Sequence, residues 1–476
     1  MKYLRTLLMG SALSVAFFPG ALPTRAQEDT SKPKPAARAF PPLIGGYGDQ
    51  DVNNQEPPEG LQPDTRPLTG LQNATLGTPG IRHSYWVSGF QYGNSVRSTA
   101  LNQATSSGWN STSYLAGNVS VLEARSRAQL SINYSGGGSF STDSTQGNTY
   151  FHQFGLVQSF DWRKWQLSFI DQFSYLPETQ FGFGGATGLS IPGVGGSLGP
   201  SLPGLQNNYL PNQSIFTTIG PRYSNALASQ VVYSVSTRGS MTVAGSFGIL
   251  RFVEAGSIES NDAIFSVGYN YSLTREDTIG ILYRFSGYRY IGNPQAINDH
   301  VAQFAYGRKI TERLALQLFG GPGVSTYRVP VGNSTNKVSG SGGANLSYAV
   351  PRGNLSLTYY HSVSGGSGTF AGANTDQLQV GFSRQLSREW AGDLRFGYAR
   401  NGSIASANLS QTYNSWYIGG GLSRPLGRNA NFTLGYTAEI QTSNQSVCAA
   451  GTCGTSYTQH QISLGFQWHT RPFVIR

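Results

Sequence analysis

The stretch "YYHSVSGGSG" brings together residue types that nucleophilic catalysis uses, a histidine and several serines. His361 lies next to Ser362, and Ser364 and Ser367 follow it closely. A serine nucleophile needs a base within hydrogen-bond reach and a third group that orients the base. The glycines here lack the strand–turn–helix context of a nucleophile elbow. We therefore interpret the stretch as the end of a strand that enters a flexible loop, and we expect that the protein is not an enzyme.

The histidines as a set show no spacing typical of a metal site or a catalytic dyad. The sequence also has no Cys/His ligand pattern and no glycine-rich phosphate loop ahead of a helix, so it predicts neither a metal nor a cofactor. The formal net charge of +10 is spread along the chain without a basic run, and a nucleic-acid partner is therefore not expected. The histidines are His83, His152, His300, His361, His460 and His469.

The stretch "SVGYNYSLTREDTIGILYRF", residues 266–285, indicates what kind of element must position such side chains. Apolar or aromatic residues alternate with small or polar residues on both sides of "TRED". A period of two on either side of a tight polar turn predicts a β-hairpin. Ile281 and Tyr283 would then face one side of the hairpin, and Leu282 and Arg284 the other.

The same pattern repeats from residue 81 to the C-terminus. Short turns alternate with longer loops rich in glycine, serine and asparagine, which predicts about eighteen strands (a range of about 16–18) in a transmembrane, antiparallel, up-and-down β-barrel. The short turns are predicted at 124–127, 161–164, 236–239, 274–277, 310–313, 351–354, 386–389 and 425–428. The longer loops are predicted at 94–112, 138–149, 177–226, 253–262, 291–299, 329–342, 364–374, 401–411 and 442–457.

The composition favours the same all-β fold class. Only 12% of the 476 residues are charged, about half the usual quarter, while the chain holds 61 Gly, 26 Tyr and 25 Phe. Beyond residue 20, no apolar run approaches the roughly 18–20 residues that a membrane-spanning helix needs. Strands with one face toward lipid and the other toward water fit this composition.

Residues 1–26 have the layout of a secretory signal peptide. Lys2 and Arg5 precede a short apolar stretch, and the small residues Thr24 and Ala26 occupy positions −3 and −1, which predicts cleavage after Ala26. Residues 27–80 are rich in proline and cannot bury enough apolar surface to fold alone. We expect a disordered periplasmic tail there, acting as a spacer, a plug or a cell-wall tether. The remaining residues, 81–476, would form the barrel.

The two cysteines lie close together in the last long loop. Cys448 and Cys453 stand in "CAAGTC", and the compartments that secreted proteins enter oxidise thiols. We predict a disulfide that closes a small loop. Mass spectrometry of protein purified without reductant would contradict this prediction by finding two free thiols.

Residues 81–476 resemble the β-barrels of the Gram-negative outer membrane, and porins in particular. The resemblance rests on the strand pattern, the signal peptide and the terminal strand "HQISLGFQW", in which Trp468 is the candidate for the aromatic residue that usually ends such barrels. It implies short periplasmic turns, long extracellular loops and a location in the outer membrane. It also implies the lipid bilayer and small solutes as partners, and it leaves the oligomeric state open.

The longest loop, 177–226, matches the porin loop that folds into the lumen and narrows it. It joins the fifth and sixth predicted strands and is rich in glycine and proline. Its charged residues are Glu178 and Arg222 near its ends, whereas porin loops usually carry acidic residues that face basic ones. The sequence therefore indicates a candidate constriction of low polarity, and a surface lid is the alternative.

Few charged residues fall on the predicted inward face. They are Arg284, Asp393, Arg395 and Glu439, two basic and two acidic, so the wall is close to neutral. Any charge bias would come from arginines in the short turns, which predicts weak anion selectivity that fades as salt rises. Those arginines, whose simplest interpretation is a solvated rim, are Arg125, Arg127, Arg163, Arg238, Arg275, Arg313, Arg352, Arg388 and Arg428.

One residue does not fit the predicted faces. Asp171 falls on the same face as Leu167, Phe169 and Phe173, and a carboxylate that faces lipid is costly. We expect either a β-bulge or a shift of register there.

Together these features predict an outer-membrane channel for the passive diffusion of small polar solutes. A barrel that only displays a binding surface or acts as a scaffold is one alternative, with the tail touching the cell wall. A transporter of hydrophobic solutes is another.

Overall fold

The structure is a computed structural model, and it describes residues 84–98, 108–142, 148–176, 222–253, 258–292, 294–328, 334–365, 371–404, 412–427, 429–444 and 456–475. All of these residues belong to one unit, Ala39–Arg476. The predicted signal peptide and tail lie outside the described residues. Within the described ranges we find no helix that is both long and apolar enough to cross a membrane.

Eighteen long strands and one two-residue strand make up a single sheet. The strands are β1 Tyr85–Ser98, β2 Trp109–Ala124, β3 Ala128–Ser141, β4 Thr149–Asp161, β5 Trp165–Leu176, β6 Arg222–Ser234, β7 Gly239–Phe252, β8 Ser260–Ser272, β9 Asp277–Tyr290, β10 Ala296–Lys309, β11 Leu314–Arg328, β12 Thr335–Val350, β13 Gly353–Ser364, β14 Ala373–Gln385, β15 Ala391–Ser403, β16 Thr412–Leu426, β17 Ala430–Ser443, β18 Tyr457–His469 and β19 Phe473–Val474.

The sheet closes on itself as an antiparallel barrel. Each of β1–β17 pairs with the next strand in sequence, and β1 also pairs with β18, from Gly89 opposite His469 to Arg97 opposite Gln461. The short strand β19 adds two pairs to the start of β1. A closed sheet leaves no unpaired edge, which is the condition for a sheet to cross a bilayer. The predicted fold class and strand number are confirmed.

Serine or threonine side chains shape several of the short turns. The Thr274 hydroxyl accepts hydrogen bonds from the backbone N–H groups of Glu276 (3.1 Å) and Asp277 (2.9 Å). Ser236, Thr311 and Ser387 make the same pair of contacts in their own turns. A hydroxyl that accepts from the backbone two and three residues later stabilises a tight turn, so these hairpins carry their turn signal in the sequence.

The strands are longer than the sequence pattern predicts. β8 begins at Ser260 and β10 at Ala296, so the predicted loops 253–262 and 291–299 are wrong at their C-terminal ends. The predicted loop 94–112 is likewise too long, because β1 runs to Ser98 and β2 begins at Trp109. Outward side chains near these ends, such as Asn261 and Asn298, are polar. The alternation that marks a strand therefore fades while the backbone ladder continues.

Two prolines lie within strands rather than in turns. Pro425 stands in β16 opposite Asn431, so the predicted turn 425–428 begins too early. Pro322 stands in the middle of β11 opposite Gly340 of β12. On its other side, the ladder with β10 is interrupted between Val301–Gly323 and Phe304–Gly320. Proline has no N–H to donate, and the interruption on this side is the expected consequence.

Apolar and aromatic side chains cover the outer face of the barrel. Ile281, Phe304, Leu394 and Ile418 are each more than half exposed there, at 62%, 52%, 61% and 57%. The strand neighbours of Ile281 and Phe304 on the other face, such as Leu282, are buried. An exposed apolar outer face alternating with a polar inner face is the pattern of a barrel in lipid.

Asp171 does face outward, but neither a bulge nor a register shift accompanies it. It pairs regularly with Leu156 on β4 and Leu227 on β6. The amide of Asn225, on the outer face of β6, donates a hydrogen bond of 2.9 Å to the Asp171 carboxylate. The expectation of an irregular strand is therefore wrong, and a cross-strand amide satisfies the carboxylate instead.

A diagonal pairing of tyrosine with a polar residue recurs on the outer face toward the end with the long connections. In three hairpins, a tyrosine on the odd-numbered strand meets a histidine on the following strand, two residues away from the directly paired residue and on the same face. Tyr359 meets Asp376 (3.0 Å) and Tyr398 meets Asn414 (3.2 Å) in the same way. The Oη–Nδ1 distances are 2.8 Å for Tyr134–His152, 2.7 Å for Tyr283–His300 and 2.9 Å for Tyr436–His460.

Candidate functional site: the inner face of the barrel

Polar side chains dominate the inner face. On β8, the inward positions include Ser260, Asp262, Ser266 and Asn270, all less than 9% exposed. Serines, glutamines and asparagines occupy equivalent positions on the other strands, and many of them are also buried. The interior is thus hydrophilic in chemistry and largely closed to solvent at these positions.

The predicted residue Arg284 lies on the inner face of β9 and is 7% exposed. Its guanidinium forms an ion pair of 3.8 Å with Asp299 on β10. The Ser325 hydroxyl on β11 donates a hydrogen bond of 2.6 Å to the same carboxylate. Three neighbouring strands thereby hold one charged network, in which the arginine and Asp299 neutralise each other.

The other three predicted charges also lie on the inner face. Asp393 and Arg395 stand two residues apart on β15 and form an ion pair of 3.0 Å. Glu439 on β17 is 5% exposed and accepts a hydrogen bond of 3.2 Å from Ser415. Each predicted acidic group therefore has a local donor. Their role in solute passage stays a prediction.

Sequence reasoning missed four buried inward charges. Asp262, Asp299 and Arg97 fell in segments assigned to loops, whereas the structure places them in strands β8, β10 and β1. Arg222, predicted as the end of the candidate constriction loop, is the first residue of β6 and is 3% exposed on the inner face. The outward Ala263 and Phe265 extend the alternation of β8 and could have identified Asp262. These four buried residues are two basic and two acidic, and the near-neutral balance of the wall stays a prediction.

Several predicted features lie outside the described residues. They include most of the candidate constriction loop, with Glu178, and both cysteines, Cys448 and Cys453. Arg428 lies there as well. The other turn arginines are exposed at the short-turn end of the barrel, as in Arg163, Arg275 and Arg388.

The structure separates the catalytic residue types of "YYHSVSGGSG". His361 faces outward on β13, and its Nδ1 lies 2.8 Å from the Asp376 carboxylate on β14. Ser362 and Ser364 are buried on the inner face, and the Ser364 hydroxyl lies 2.7 Å from that of Thr375. A histidine and serines on opposite faces of a sheet cannot exchange a proton. Within the described ranges, no group of three or more His, Cys, Asp or Glu side chains is placed to hold a metal ion.

A buried apolar cluster joins β9 to the end of β13 on the inner side of the barrel, at the end with the long connections. The Tyr290 hydroxyl donates to the Gly365 carbonyl (3.0 Å), and the Tyr288 hydroxyl donates to the Val363 carbonyl (3.4 Å). Strands β10–β12 separate β9 from β13 along the wall, so these contacts run through the interior. We name this group the mouth cluster: Tyr288, Tyr290, Ile297, Tyr327, Val363 and Ala371.

Gly372 allows the backbone to pack closely against the mouth cluster. Its φ is +79°, a conformation that side chains other than glycine rarely adopt. A Cβ atom at this position would also collide with the Cδ1 atom of Ile297. Glycine is thus required both by the backbone and by the close approach to β10. The contacts of Gly365, Ala371 and Gly372 with β9 and β10 were not expected from the sequence.

Comparisons with known proteins give resemblance in shape only. No protein-family model matches the chain, and no curated protein matches it. Among solved structures, the outer membrane protein OpdK of Pseudomonas aeruginosa is 10% identical, with a TM-score of 0.42 over 81% of this chain and 99% of that one. OccAB4 of Acinetobacter baumannii is 10% identical, with a TM-score of 0.41 over 82% and 99%. OccK9 (OpdG) of P. aeruginosa is 9% identical, with a TM-score of 0.43 over 81% and 98%. The fold assignment rests on the closed strand pairing of this chain itself.

Proposed function

We propose that the protein is an outer-membrane channel for the passive diffusion of small polar solutes. The observation that carries this proposal is the closed barrel with an exposed apolar outer face and a polar inner face. The apolar face fits lipid, and the short turns would lie in the periplasm with the long connections outside. In a passive channel, the width of the pore and the charge of its lining decide which solutes pass.

The inner face also sets the expected size of the current. Many inward side chains are nearly inaccessible, and the mouth cluster reaches through the interior. A solute must pass a narrow and partly apolar path. We therefore expect small unitary conductance, with weak anion selectivity from the exposed turn arginines that falls as salt screens them.

A planar-bilayer recording of the purified protein tests the proposal. We expect discrete insertion steps, each leading to a steady current proportional to voltage. A barrel that inserts fully but carries no current would contradict the channel proposal and favour a surface or scaffold role.

A second candidate is a transporter of hydrophobic solutes. The mouth cluster favours it, because three tyrosine rings and three aliphatic side chains meet there on the path into the barrel. Vesicle uptake separates the two candidates. A sugar that swells protein-containing liposomes supports the polar channel, whereas selective uptake of an apolar solute with no swelling supports the transporter.

A further inference from the structure

Asp262 is a buried inward carboxylate to which no side chain or backbone group of the described ranges donates a hydrogen bond. It lies near the long-connection end of β8, and its side chain is 2% exposed. Neither of its carboxylate oxygens has a hydrogen-bond partner in the described part of the chain. The carboxylate lies flat over Gly248 on β7, where a Cβ atom would collide with it. The neighbouring strand is therefore shaped to admit this carboxylate without binding it.

The nearby guanidinium group of Arg284 already forms an ion pair with another carboxylate. Asp299 on β10 takes the Arg284 guanidinium in its ion pair and also accepts the Ser325 hydroxyl. Asp262 and Asp299 flank β9, where Tyr288 is the direct cross-strand partner of Asp262. Asp299 and Arg284 therefore offset each other's charge, whereas Asp262 has no ion-pair partner among the described residues.

The ionised form of a buried carboxylate is energetically unfavourable when no donor or cation compensates for the lost water. Removing an anion from water without a compensating donor or cation costs several kcal/mol, on the order of the penalty for a buried ion. Two events relieve this cost, uptake of a proton or occupation by a cation. The carboxyl group would remain polar and unpartnered even after protonation, whereas a cation with N–H donors would satisfy its oxygens.

The surrounding rings indicate what kind of cation fits. Tyr288 is the cross-strand neighbour of Asp262, and Tyr290 lies one inward position further along β9. Both rings are buried in the mouth cluster with Ile297 and Val363. Aromatic faces attract organic cations, and an apolar surround favours a hydrocarbon body over a hydrated metal ion.

We propose that Asp262, Tyr288 and Tyr290 form a binding subsite for small organic ammonium compounds on the inner face of the barrel. The ammonium group contacts the Asp262 carboxylate, and the apolar part of the ligand lies against the two tyrosine rings. This subsite deepens the proposed channel function, because it would give a solute a resting point on its path.

Phenethylammonium is a suitable probe, and phenylacetate is its anionic counterpart of similar shape. Isothermal titration of the full-length protein in detergent should detect saturable binding of phenethylammonium and no competition by phenylacetate. Asp262→Asn should weaken this binding at least tenfold. The matched control is Asp376→Asn, since Asp376 is a carboxylate on the outer face of β14, and it should bind as the wild type does.

Gly248→Ala provides a second variant that keeps the carboxylate. The added methyl group displaces Asp262 from its place over β7, so binding should weaken although the charge remains. Heat-modifiable migration in electrophoresis shows whether each variant is folded. No saturable binding to the folded wild type, equal binding to Asp262→Asn, or competition by phenylacetate would each overturn the subsite.

The binding measurement is independent of conductance. A protein that binds phenethylammonium but carries no current would retain the subsite and refute the channel. A conducting protein that does not bind the probe would retain the channel and refute the subsite.

Discussion

At the scale of single residues, a polar side chain on the apolar outer face is stabilised by one specific hydrogen bond. Asp171 is acceptable on the outer face because Asn225 donates to it. The two residues should therefore behave as a pair rather than as independent polar sites.

Asn225→Leu should destabilise the barrel by about 1–3 kcal/mol, because it leaves the Asp171 carboxylate without its donor. Asp171→Leu should destabilise the barrel much less, since it removes the carboxylate that needs a donor. Urea unfolding in lipid vesicles measures both changes. The double variant is the control and should recover most of the stability lost in Asn225→Leu. Equal, additive losses would show that the hydrogen bond contributes little.

The Tyr290 hydroxyl on β9 holds Gly365, the residue after β13, by a hydrogen bond that passes β10–β12 on the inner side. Tyr290→Phe keeps the ring and removes this bond, so the mouth cluster should loosen and unitary conductance should rise. Tyr92→Phe changes a tyrosine that faces outward and is 47% exposed, and it should leave the current unchanged. Identical currents in Tyr290→Phe and the wild type would exclude the mouth cluster as the narrow point.

At the scale of elements, the recurrent tyrosine–histidine pairs join the two strands of three separate hairpins. Because the hairpins β3–β4, β9–β10 and β17–β18 are far apart, their contributions should add. Each of Tyr134→Phe, Tyr283→Phe and Tyr436→Phe should cost about 0.5–1.5 kcal/mol, the net value of one hydrogen bond.

The triple variant should lose close to the sum of the three single losses in a urea unfolding experiment. Tyr271→Phe is the control, because Tyr271 also faces outward on β8 and the structure gives its hydroxyl no such partner. A triple variant as stable as this control would mean that the pairs do not hold the hairpins together.

The sequence predicts the strands well where their outer face is apolar and poorly where it is not. The hairpin at 266–285 was predicted in position and in the facing of its side chains, because Tyr269, Ile281 and Tyr283 carry the period-two signal. β10 was predicted to begin too late, because Asn298 is polar on the outer face and Asp299 is polar on the inner face. Pairing continues there through backbone hydrogen bonds, which leave no mark on the side-chain pattern.

The inward charges could likewise be predicted only in strand segments whose outer face is apolar. Arg284, Asp393, Arg395 and Glu439 lie in well-patterned strand segments and could be placed from the sequence. The partner of Arg284 could not, since Asp299 fell in a segment assigned to a loop. The mouth cluster was also beyond sequence reasoning, because it joins residues of β9 and β13 that no local pattern connects.

At the scale of the whole molecule, the closed pairing of β1 with β18 makes the two faces of the sheet into an outside and an inside. A shift of one residue would exchange them on every strand. In the proposed channel, the polar face lines a path through the membrane and the apolar face meets lipid. Strand β17 offers both faces at accessible positions: Thr437 points inward and is half-buried, and Leu434 points outward and is 38% exposed.

The most direct test is the reaction of a charged thiol reagent with single cysteines during a bilayer recording. The background carries Cys448→Ser and Cys453→Ser, and Thr437→Cys and Leu434→Cys are introduced separately. A positively charged, membrane-impermeant methanethiosulfonate should reduce the current through Thr437→Cys and leave that through Leu434→Cys unchanged. A reduced current in Leu434→Cys with none in Thr437→Cys would contradict the assignment of the faces and the channel that depends on it.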